Sequence, residues 1–151
     1  MYKHLKGDPT LKNKYSLELA RISPNSNKVD VVELSFNPEK MKSVFEDLVG
    51  GLAGVMKLDN GFFIIYNNSE FTEKDLDFNI GASWFIAKTT KHKDIKIYGN
   101  VLVASYKEED PDTLRSIDFD KLSTIFKDQD EPVVGVSYQY KYAYATNPSI
   151  N

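Results

Sequence analysis

The chain has 151 residues, 41% of them hydrophobic and 27% charged, with a formal net charge of −3, which fits one soluble domain with a real core. It has no cysteine, so a disulfide scaffold, a thiol nucleophile and a cysteine zinc site are excluded. No apolar run approaches the roughly 18 residues of a membrane span, and residues 1–14 are polar with no signal-like apolar stretch; the sequence predicts a cytoplasmic protein with no membrane contact.

Residues 15–19 alternate and residues 29–36 are rich in β-branched side chains, with Pro24-Asn25-Ser26-Asn27 between them. This predicts a hairpin with a loop of about four residues. The apolar phase shifts across Val31-Val32, which predicts a bulge. Asn37-Pro38 then opens a helix, with Asn37 as its cap. Met41, Val44, Phe45 and Leu48 give it one apolar face, and Gly50-Gly51 ends it in the left-handed region. Residues 52–58 and 62–66 flank Asp59-Asn60-Gly61, a hairpin turn. Phe62-Phe-Ile-Ile-Tyr66 is apolar without alternation, as in a strand covered on both faces.

A short helical turn is expected at 72–76. Residues 83–87 and 95–106 read as two further strands around a lysine-rich loop, and Gly99 marks a bulge or a close approach. Asp110-Pro111 opens an acidic connection. Ile117, Asp118 and Leu122 form a hydrophobic staple around an N-cap, and Leu122, Ile125 and Phe126 give the second main helix its inner face. Residues 133–145 form a last strand, in which Tyr138, Tyr140, Tyr142 and Tyr144 alternate with small or polar residues. The pattern predicts a single α+β domain over residues 1–151, with a mainly antiparallel sheet and about two helices packed on it.

Residues 30–126 carry a helix ending Phe45-Glu-Asp-Leu-Val-Gly-Gly51, the hairpin to Phe62-Phe-Ile-Ile-Tyr-Asn67, an isolated Asn79, and Ile97-Tyr-Gly-Asn-Val-Leu-Val103 before an acidic stretch. In that order these resemble a small uncharacterised domain family of bacteriophages, plasmids and mobile regions of bacterial genomes. The family segment after the hairpin reads like Asn-Glu-Glu-Gly; here it is Asn67-Asn68-Ser69-Glu70. The first hairpin and the tyrosine strand look like additions to the family core. The resemblance implies a mobile-element setting and carries no chemistry with it. Abundant lysine and asparagine, both with AT-rich codons, agree with a phage or plasmid of a low-GC bacterium.

Candidate chemistry is sparse. His4 and His92 have no spacing that would hold a metal, so no metal or other cofactor is expected. Glu108-Glu-Asp-Pro-Asp112 lacks the alternating oxygen ligands and distal Glu of a calcium loop; it reads as a solvated loop or a partner-facing acidic patch. The glycines at 50, 51 and 54 follow a helix, where the dipole has the wrong sign for phosphate. Lys91 and Lys93 belong to a basic loop that is either solvated or faces an acidic partner or phosphate. Seventeen of the 19 basic residues are lysine, which argues against nucleic acid, since arginine is the better phosphate reader.

The tyrosines are either the last wall of the core or a docking surface. The expected function is that of a non-enzymatic accessory protein of a phage or plasmid. It would bind a host protein, inhibiting a defence or regulatory factor, through Tyr140, Tyr142, Tyr144, Lys91 and Lys93. Self-association through the same strand is a further expectation. The alternative is a nucleotide-binding or sequestering protein, with tyrosines on the base and lysines on the phosphates.

Overall fold

The computed structural model describes residues 8–11, 14–24, 28–70, 72–89, 95–127 and 139–144. The elements run β1 (Asp8–Leu11), β2 (Lys14–Ile22), β3 (Lys28–Phe36), α1 (Met41–Val49), β4 (Ala53–Lys57), β5 (Phe62–Asn67), α2 (Thr72–Asp75), α3 (Ile80–Thr89), β6 (Val101–Lys107), β7 (Asp110–Arg115), α4 (Phe119–Lys127) and β8 (Gln139–Tyr144). The class is α+β. The strands form one sheet of order β4-β5-β6-β2-β3-β8, antiparallel except where β8 runs parallel to β3. Among the described residues no helix is long and apolar enough to cross a membrane.

β2 is the organising strand. One edge pairs with β3 without a break from Tyr15↔Phe36 to Ile22↔Val29. Its other edge pairs with β6 over Ala20–Ile22 and with β1 at Ser16 and Lys14. Between those two partners β2 and β6 diverge. β7, hydrogen-bonded to β6, fills the gap, and its exit closes it: the Ile117 N–H donates to the Glu18 carbonyl at 2.7 Å and the Glu18 N–H to Ser116 Oγ at 2.9 Å. The first hairpin is thus part of the continuous sheet.

Apolar residues of both phases are buried because the sheet is covered on both faces. On one, α1 sends Met41, Val44, Phe45, Leu48 and Val49 onto Leu17, Leu19, Val32, Leu34, Phe63, Ile65 and Leu102. On the other, Ala82, Phe85 and Ile86 of α3 and Phe119 and Leu122 of α4 meet Ala20, Ile22, Val29, Val31, Phe62, Ile64 and Val103. Against β2 the shift at Val31-Val32 makes no bulge: the register is unbroken there, and neighbouring valines enter opposite cores; the register against β8 does shift, between Val29 and Val31.

The Asp59–Gly61 turn is as expected, with Asn60 at φ 67° and Gly61 at φ 87°. β5 lies between β4 and β6, with residues 62–65 all buried. Gly50 ends α1 at φ 80°. Asn37 does not cap through its side chain; its carbonyl accepts the Lys40 N–H at 2.8 Å, and a 3₁₀ turn over Pro38–Lys40 precedes α1. Asp118 caps α4, its Oδ1 accepting the Lys121 N–H at 3.1 Å, and Ile117 and Leu122 share one core as the staple requires. Gly99 has φ 82°, a backbone that a side chain would strain, and a Cβ there would also lie 2.9 Å from Leu76 Cδ1.

Three further expectations fail. Residues 83–87 are helical, inside α3, which with the short α2 expected at 72–76 makes four α-helices among the described residues. Trp84-Phe85-Ile86 has strand-like propensity, but Ala82, Phe85, Ile86 and Thr89 are buried at helical spacing and Asn79 caps the element. Of residues 95–106 only those from Val101 onward belong to a strand, β6. The acidic connection is strand β7, folded back on β6 through a turn at Glu108 and Glu109.

Candidate interaction surfaces

Tyr140, Tyr142 and Tyr144 lie on β8, the terminal strand of the sheet order. Tyr140 stands opposite Val29 and Tyr144 opposite Val31 of β3. Lys91, Lys93, His4, His92, Tyr138 and the side chain of Phe126 lie outside the described residues. The structure gives the three tyrosines a common strand, and the expected pairing with Lys91 and Lys93 lies outside the described residues.

The acidic stretch has internal partners. Asp110 pairs with Arg115 at 3.1 Å, and Asp112 approaches Lys57 at 4.0 Å. Among the described residues no three His, Cys, Asp or Glu side chains converge as metal ligands.

A hollow that the sequence did not suggest lies at the C-terminal end of α1. It has a volume of about 550 Å³ and is lined by Glu46, Asp47, Gly50, Gly51, Leu52 and Ser69. Its floor is fixed from a distance in sequence. Buried Asn67 donates through Nδ2 to the Val49 carbonyl at 3.1 Å and accepts the Ser69 N–H on Oδ1 at 2.9 Å. Ser69 Oγ then accepts the Leu52 N–H at 3.0 Å, and the Leu52 carbonyl accepts the Asn68 N–H at 2.6 Å. A Cβ on Gly51 would lie 2.5 Å from Ser69 Oγ and 2.8 Å from Asn67 Nδ2, so only glycine fits. Leu52 is pinned at both main-chain groups, yet it is 61% exposed. Glu46 Oε2 has little exposure and no hydrogen-bond partner among the described residues.

A second feature lies on the sheet. Glu18 and Glu33 are direct cross-strand partners in the β2–β3 ladder. Burial pushes the Glu18 carboxyl above its ordinary value, and the charge of Glu33 and a hydrogen bond to it push the same way. Both faced residues were readable: a four-residue loop at 24–27 pairs Glu18 with Glu33. The hollow had a weaker signal, two acids before Val-Gly-Gly and a leucine after it. Comparison with protein-family models, with curated proteins and with solved structures finds no match.

Proposed function

We propose that the chain is a protein-binding accessory factor, acting by contact with a partner protein rather than by catalysis. The resemblance of residues 30–126 to a phage and plasmid domain family gives the setting: a mobile element whose product engages a host defence or regulatory protein. The observation that carries the reading is the place of β8. It is the terminal strand of the sheet, held by β3 on one side and paired with no other strand among the described residues. A strand so placed can accept a partner's strand by main-chain hydrogen bonds. The alternating Tyr140, Tyr142 and Tyr144 are of a residue type favoured at interfaces.

The test is a paired measurement on the full chain. Affinity capture from cells of its source should retain one host protein stoichiometrically. Replacing Tyr142 and Tyr144 together with Ser should weaken that capture while the urea midpoint stays near that of the parent. Loss of stability of about 3–5 kcal/mol, the cost of removing buried aromatics, with capture intact would show the tyrosines to be core. Release of a nucleotide from the denatured protein would favour ligand sequestration instead.

A further inference from the structure

The hollow at the end of α1 combines three independent features: exposed apolar surface, unneutralised negative charge and a fixed backbone. Leu52 presents an exposed side chain from a main chain held by Ser69 and Asn68, so little freedom is lost when something packs on it. Glu46 and Asp47 line the same space, and Glu46 Oε2 has no hydrogen-bond donor among the described residues, so a cation entering the hollow meets carboxylate charge that the fold leaves unpaired. The C-terminal end of a helix adds partial negative charge. Among the described residues no ion pair engages Glu46 or Asp47.

We propose that this hollow receives a lysine or arginine of a partner protein, with the aliphatic stem on Leu52 and the cationic head on Glu46 and Asp47. Long basic side chains divide in this way between apolar and charged surface. A hard metal ion fits poorly, because it needs about six oxygen ligands and two carboxylates line the site. The proposal rests on the protein-binding reading but not on the tyrosine strand.

The probe is a short peptide alternating lysine with leucine, titrated into the isotope-labelled full chain, with a glutamate–leucine peptide and calcium chloride as comparisons. The amides of Gly50, Gly51, Leu52 and Ser69 should shift with the lysine peptide alone, and binding should weaken as salt is raised. Glu46→Gln with Asp47→Asn should weaken it about tenfold or more, as loss of charge-assisted hydrogen bonds implies. Leu52→Ser should weaken it too, and Asp47→Asn alone, an exposed change, guards against misfolding of the double variant. Shifts scattered over the surface, equal shifts with the glutamate peptide or calcium, or unchanged binding by the variants would overturn the proposal. So would host-protein capture that the same substitutions leave unaltered, an outcome that keeps the protein-binding reading and removes this site.

Discussion

Asn79 is the polar side chain on which the second core turns, and replacing it tests the architecture directly. It is fully buried. Its Nδ2 donates to the Ile22 carbonyl at 2.9 Å and the Gly99 carbonyl at 2.8 Å, and its Oδ1 accepts the Ala82 N–H at 2.9 Å. One amide thus caps α3 and ties the end of β2 to the loop before β6. Asn79→Ala loses a helix cap worth about 1 kcal/mol and orphans two carbonyls at about 1–1.5 kcal/mol each, about 3–4 kcal/mol in all. That is a large part of a domain's usual stability of about 5–15 kcal/mol. Asn79→Asp is the sharper variant. It keeps the cap acceptor but turns a carboxylate oxygen toward two carbonyl oxygens. At neutral pH it should be less stable than the alanine variant. The deficit should shrink on acidification, because a carboxyl so placed is held protonated in the fold and its stabilising proton is lost as pH rises. Urea unfolding followed by the fluorescence of Trp84, the one tryptophan and itself on α3, reads both. An alanine variant within about 1 kcal/mol of the parent, or an aspartate variant equal to it at neutral pH, would refute this bonding scheme.

Gly50→Val should cost about 1–2 kcal/mol through backbone conformation alone, since φ is 80° and nothing lies within 4 Å of the added Cβ; tolerance without loss in a thermal melt would mean that α1 ends elsewhere. Glu18→Gln should stabilise the protein at neutral pH by about 0.2–1 kcal/mol, the scale of a like-charge cross-strand pair. Because the Glu18 carboxyl is raised, its stabilising contribution is complete below its ordinary value and lost as pH rises through the raised one. The advantage of glutamine should therefore vanish in acid, and a benefit constant with pH in urea melts would contradict the pairing.

What could be read from the sequence was what local chemistry decides. The glycine pair after Leu48-Val49, the Asp-Asn-Gly turn and the Ile117/Asp118/Leu122 staple each contain their own instructions within a few residues. α3 did not, because Trp84-Phe85-Ile86 is locally ambiguous. Its deciding contact is the Asn79 amide, whose other partners lie in β2 and before β6. β7 was hidden because Asp-Pro-Asp does not resemble a strand; pairing on one side with β6 gives Pro111 a place where its missing N–H is tolerated. The hollow at α1 is a product of Asn67 reaching back to Val49, and no window short of that separation contains it.

The extent of the second helical layer is written along β3. Residues 29, 31, 33 and 35 share one face of the strand. Val29 and Val31 are buried against the core shared with α3 and α4, whereas Glu33 and Ser35 are exposed. The first face shows no such boundary: Val32, Leu34 and Phe36 are all buried in the core with α1. Among the described residues, cover on the second face therefore ends between Val31 and Glu33. On β2 the same line falls between Ala20, fully buried, and Glu18, partly exposed. Glu18 is where it must hold, since its main chain carries the bonds that lock the exit of β7 onto the sheet while its side chain faces the opposing carboxyl of Glu33. A carboxyl partly stripped of water beside a second one opposes burial of that patch at neutral pH. Among the described residues, the sheet face beyond the helices is thus left uncovered where its own charge opposes burial.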